Sequence, residues 1–69
     1  MQIIVRLDVA LAQRKMTSRE LAAKIGISEQ NLSMLRSGKA RGVRFNTLAA
    51  ICSALQCQPG DLLEFTDEP

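Results

Sequence analysis

Between positions 29 and 44 the chain carries side chains suited to reversible recognition rather than to making bonds. Glu29, Gln30, Asn31, Ser33, Met34 and Ser37 supply a carboxylate, two carboxamides, two hydroxyls and a thioether. Lys39, Arg41 and Arg44 follow as three cations in six residues. A glutamine presents a donor and an acceptor side by side, the geometric match for adenine N6 and N7. A methionine offers an apolar surface suited to a thymine methyl, and a glutamate can accept from cytosine N4 or, close to phosphates, simply repel them. Serines bond either bases or phosphates and discriminate weakly.

Covalent chemistry finds little support. The 69 residues contain no His, Trp or Tyr, which removes imidazole from both catalysis and metal binding. Asp61 and Glu64 stand at helical spacing but read as a helix start and a solvated surface. Cys52 and Cys57 are five apart, about 140° around a continuing helix, so they share no face and make a poor zinc set. Cys52 instead reads as a small core residue. No phosphate-cradling glycine motif is present. The expectation is a non-enzyme with no metal, cofactor or small-molecule ligand.

The elements that would hold the recognition residues lie at 17–38, TSRELAAKIGISEQNLSMLRSG. Thr17-x-x-Glu20 is a capping box, in which two side chains satisfy two orphaned backbone N–H groups. It predicts a helix over 18–25, with Leu21, Ala22 and Ile25 on one face. Gly26 supplies a left-handed residue to end it. Ile27 plugs inward, and Ser28 caps a second helix over 29–37 whose buried positions are Leu32 and Leu35. Gly38 ends that helix in the same way, and Ala22 is small where the two helices cross. Two helices joined by such a turn are a helix-turn-helix, which lays its second helix in the major groove of DNA. At ~100° per residue, Gln30, Ser33, Met34 and Ser37 centre on the side opposite Leu32 and Leu35, with Glu29 and Asn31 flanking them. That face is polar and nearly uncharged, unlike most solvated helix surfaces. Asn31 and the first turn at Thr17, Ser18 and Arg19 are phosphate candidates, because helix N-termini attract anions.

Around this core, QIIV at 2–5 reads as extended. A first helix is expected at about 7–15 from Leu7, Ala10, Leu11 and Arg14. GKARGVRF at 38–45 reads as a basic loop. A fourth helix is expected from a cap at Asn46, with Leu48, Ile51, Cys52 and Leu55 inward. A fifth follows Pro59, carries Leu62, Leu63 and Phe65, and gives way to a frayed 66–69. The fold class predicted is all-α: one domain over 1–69, a compact five-helix bundle with a possible short strand at its start. Charge divides unevenly. Residues 1–45 hold nine bases against three acids, a net +6, whereas 46–69 hold four acids and no base, a net −4. A polyanion-binding face with a remote acidic end has this pattern.

With Leu21-Ala22, Ile25-Gly26-Ile27-Ser28, Leu32, Leu35 and Gly38, the chain resembles the Cro and lambda-repressor type helix-turn-helix proteins, the XRE family. The loop 38–45 and the later Thr47-Leu48, Ile51-Cys52, Leu55 and Pro59-x-Asp61-Leu62-Leu63 extend the likeness from Leu7 to Phe65. The resemblance implies a five-helix domain, binding to operator-type double-stranded DNA, and a homodimer. It also implies that Arg44 reaches toward the minor groove, where a narrow A-tract favours arginine. The chain departs from the family where a helix-one arginine usually pairs with an acid near the end of helix three. Leu11 and Arg36 stand there, which leaves Arg36 for phosphate or another acid. Met34 also stands where a second base-reading glutamine is common.

The function expected is that of a sequence-specific transcriptional regulator, in particular a repressor. It would act as a homodimer on a palindromic operator, in the cytoplasm by default and without a membrane span. Glu29, Gln30, Ser33, Met34 and Ser37 would face bases. Thr17, Ser18, Arg19, Asn31, Arg36, Lys39, Arg41 and Arg44 would face phosphates or the minor groove. Ile3, Ile4, Val5, Leu63 and Phe65 are candidates for the dimer surface, the first three as a strand beside a neighbouring segment. The alternative is a protein-interaction module such as the antitoxin of a toxin–antitoxin pair.

Overall fold

The structure is a computed structural model in which residues 1–68 are described. In chain order its elements are β1 (Gln2–Val5), α1 (Leu7–Gln13), α2 (Ser18–Ile25), α3 (Glu29–Arg36), α4 (Phe45–Leu55), α5 (Pro59–Leu62) and β2 (Leu63–Thr66). Leu7, Leu11, Leu21, Leu32, Ile51, Leu55 and Leu62 form the buried centre, with Ala10 and Ala22 between them. Each helix contributes to it, so no element buries its apolar face alone. α2 packs on both α3 and α4, and α1 packs on α3 and α5.

The fold is mostly helical but not all-α. β1 and β2 pair antiparallel, with Gln2 opposite Thr66, Ile3 opposite Phe65, Ile4 opposite Glu64 and Val5 opposite Leu63. The expected fifth helix therefore stops at Leu62. Leu63 and Phe65 belong to a strand, and Thr66 is paired rather than frayed; Pro69 lies outside the described residues. Two-stranded sheets are marginal alone. This one is held by Val5 and Leu63, which pack on the core, and by the Arg6 N–H donating to the Leu62 carbonyl at 2.7 Å. Arg6 also forms an ion pair with Glu64 across the sheet. The partner of the N-terminal run is thus a segment of the same chain.

Helix boundaries shift where capping differs from expectation. α1 ends at Gln13, because Lys15 adopts φ 53 and Met16 donates back to the Leu11 carbonyl at 3.0 Å. α3 ends at Arg36, with Ser37 as its cap. α4 begins at Phe45 with Arg44 in the cap position, so Asn46 lies inside the helix and caps nothing. The C-terminus of α4 is capped from α1: Arg14 Nε donates to the Leu55 carbonyl at 2.5 Å, and Arg14 Nη2 donates to that of Gln56 at 3.0 Å. A cation on the negative end of a helix is stabilising. No helix among the described residues is long and apolar enough to cross a membrane.

Candidate nucleic-acid interface

The helix-turn-helix forms through the local interactions its sequence encodes. Thr17 Oγ1 accepts the Glu20 N–H at 3.1 Å while Glu20 Oε1 accepts the Thr17 N–H at 3.2 Å, closing the capping box of α2. Gly26, at φ 77, ends α2 in the left-handed conformation. Both Gly26 and Ile27 donate to the Ala22 carbonyl, at 2.9 and 3.1 Å. These two hydrogen bonds fix the turn and send half-buried Ile27 toward the core. Ser28 Oγ accepts the Asn31 N–H at 3.1 Å and starts α3. Gly38, at φ 79, then turns the chain away.

With Leu32 fully buried and Leu35 half-buried, the opposite face of α3 is presented outward. Glu29, Gln30, Asn31, Ser33, Met34 and Ser37 are all exposed, Met34 at 43%. The Ser37 hydroxyl donates to the Met34 carbonyl at 3.2 Å, which leaves its oxygen free to accept. Thr17, Arg19, Arg36, Lys39, Arg41 and Arg44 are exposed as well, and Ser18 is half-buried.

The fold gathers these residues into two groups. Asn31 and Met34 share a groove with Ala40, Gly42, Val43 and Arg44, which joins the outward face of α3 to the basic loop. Thr17, Ser18, Arg19 and Arg36 share a second hollow with Asp8 and Leu11 on α1. Among the described residues Arg36 forms no ion pair, although Asp8 lines the same hollow. Arg19 does: its Nε lies 3.3 Å from Glu29 Oε1. Lys39, Arg41 and Arg44 form none among the described residues. The loop cations thus remain available while one α2 cation is held by an α3 acid.

Two residues escaped sequence reasoning. Arg14 falls within the expected first helix but caps α1 one residue past its end, and its guanidinium serves the end of α4; no periodicity reports a partner 41 residues away. Phe45 stands three before Leu48, on what should be the buried stripe of α4, yet is 86% exposed. It is the first residue of α4, next to the cap residue Arg44, and its ring is left uncovered.

A capped helix-turn-helix with an outward polar face and a cationic loop defines a DNA-binding domain. The comparisons agree: the Cro/C1-type HTH DNA-binding domain matches residues 6–68. The chain belongs to this family. It is 53% identical over 68 residues to the uncharacterised HTH-type transcriptional regulator YozG of Bacillus subtilis (strain 168), covering 99% of this chain and 81% of that one. Its fold is similar to the crystal structure of a proposed DNA-binding protein from Bacteroides fragilis, with a TM-score of 0.81 and 28% identity over 91% of this chain and all of that one. It is a helix-turn-helix transcriptional regulator, and DNA is its partner.

Proposed function

We propose that the protein is a homodimeric repressor that binds a palindromic operator, with α3 in the major groove. The observation that carries this reading is the α3 face: capped at both ends, seated on Leu32, and exposed at Gln30, Ser33, Met34 and Ser37 beside three loop cations that form no ion pair among the described residues. Gln30 reads an adenine edge, Met34 meets a thymine methyl, and Ser33 and Ser37 make weaker polar contacts. Lys39 and Arg41 hold phosphates, Arg44 lies along the minor groove, and Asn31 with the first turn of α2 adds phosphate contacts.

Two copies follow from reach. The molecule measures 33 × 21 × 19 Å and presents one reading helix. Half-sites about one turn (~34 Å) apart therefore need two molecules. The sheet is our choice for their contact. Ile3 and Phe65 are cross-strand partners at 58% and 57% exposure, whereas Val5 and Leu63 are committed to the core. Each strand also keeps one unpaired edge.

Selection from a random duplex pool tests the proposal. An enriched inverted repeat, bound with an affinity that falls steeply with salt, is the expected result. Binding that ignores salt, or no enrichment at all, would favour a protein-interaction module such as an antitoxin.

A further inference from the structure

The two cysteines fall outside the DNA-binding surface, and the fold brings them together where helical spacing alone would separate them. α4 stops at Leu55, and Gln56 takes the left-handed conformation at φ 53. The Gln56 N–H donates to the Ser53 carbonyl at 3.4 Å and the Cys57 N–H to the Cys52 carbonyl at 3.0 Å. This paired pattern is a Schellman motif, whose first residue past the left-handed one packs its side chain against the residue five before it. Those two residues are Cys57 and Cys52.

Covalent geometry bounds their separation. With a 3.0 Å bond between the Cys57 nitrogen and the Cys52 oxygen, and the carbonyl oxygen about 2.4 Å from its own Cα, the two Cα atoms cannot lie more than about 6.9 Å apart. The range that disulfides span is about 4.4–6.8 Å, and any bend at the hydrogen bond brings the pair inside it. Both thiols are free, partly accessible and packed on the edge of the core. Their surroundings are fixed on either side: Arg14 is bonded to the Leu55 and Gln56 carbonyls, and Asp61 Oδ2 accepts the Gln58 N–H at 2.9 Å.

We propose that Cys52 and Cys57 are a modification site, a dithiol that closes to an intramolecular disulfide by exchange with a small-molecule disulfide. One protein thiolate attacks the small disulfide, forms a mixed disulfide and expels one small thiolate. The second protein thiolate attacks the protein sulfur of that adduct, forms the Cys52–Cys57 bond and expels the other. The two protein thiols lose two electrons and two protons, and the small disulfide is reduced to two thiols. Burial pushes the Cys57 thiol up, and the adjoining Cys52 adds to this. Exchange therefore speeds up with pH as the thiolate population grows. Closure locks the turn between α4 and α5 and leaves the reading face of α3 unaltered.

The test treats the full chain with oxidised glutathione. The expected product is monomeric on a non-reducing gel, lighter than the starting chain by two hydrogens, and resistant to alkylation. Its Tm rises by about 9–18 °C, and a reductant reverses every change. Cys52→Ser and Cys57→Ser, checked for folding by circular dichroism, each retain one glutathione and show no such rise. Wild-type protein that stops at glutathione adducts, forms covalent dimers, or keeps both thiols open to alkylation overturns the proposal without reference to either variant.

Discussion

Replacing Glu29 with Gln should tighten binding to non-specific DNA while slightly weakening the fold. Glu29 pairs with Arg19 at 3.3 Å, with side-chain exposures of 58% and 83%. A pair so exposed contributes only a few tenths of a kcal/mol. The carboxylate also sits in the first turn of α3, where it complements the helix dipole by about 0.3–1 kcal/mol. Losing both lowers stability by roughly 0.5–1 kcal/mol, a fall in Tm of about 2–8 °C. The effect on DNA has the opposite sign. Arg19 is released beside the first turn of α2, proposed above to face phosphates, and a negative charge is removed. One added phosphate contact steepens the salt dependence by about 0.9 per protomer and tightens binding roughly eight-fold per protomer near 0.1 M salt. Fluorescence anisotropy on a random duplex at several salt concentrations, beside a thermal melt, measures both quantities. Unchanged slope and affinity would show that Arg19 meets no phosphate. Weaker operator binding with random-duplex affinity intact would instead make Glu29 a base-reading residue.

Gln30→Ala should cost about 1–3 kcal/mol at a single operator position and relax its sequence preference, as read by binding to a panel of point-substituted duplexes. Arg41→Ala should weaken all sequences alike and make the salt slope shallower by about 0.9 per protomer, which titration of operator and random duplex would show together. Phe65→Glu should yield a monomer by light scattering and lower operator affinity at least tenfold, with little change in the monomer's fold because the ring is already 57% exposed. Arg14→Ala should lower stability by about 1–2 kcal/mol, since two carbonyls at the end of α4 lose a charged donor; Arg14→Lys should recover only part of the loss in a thermal melt.

What was legible in the sequence was whatever short-range chemistry encodes. Thr17 with Glu20, Ser28 and Gly26 each act on a neighbour within five residues, and the capped turn they predict is the one the structure contains. The spacing of Leu21, Ala22 and Leu32 identified the inward faces, and with them the outward face of α3. The second strand was harder to read. Leu63-Glu64-Phe65-Thr66 does alternate apolar and polar, the strand signal. However, four residues after Pro59 and Leu62 also suit a short helix, and the deciding partner lies some sixty residues away at Gln2–Val5. The same distance hid the role of Arg14. Lys15 hid one helix end, because a lysine does not announce the left-handed conformation it adopts here.

The partition of the cations links fold to function. Arg6 is held by Glu64, Arg14 by the end of α4, and Arg19 by Glu29. The first two ties fasten the sheet and α1 to the rest of the molecule, on elements that do not form the reading face. The loop that follows α3 keeps Lys39, Arg41 and Arg44 exposed, next to Met34 and Asn31. Net charge alone therefore overstates the DNA-binding surface, because three of the nine bases already have partners within the chain. Of the remaining six, Lys39, Arg41 and Arg44 are gathered in one loop beside α3, whereas Lys15 and Lys24 lie away from it, near α1 and on α2. On the proposed reading, that loop would favour one orientation of α3 on a duplex over sliding contact along it.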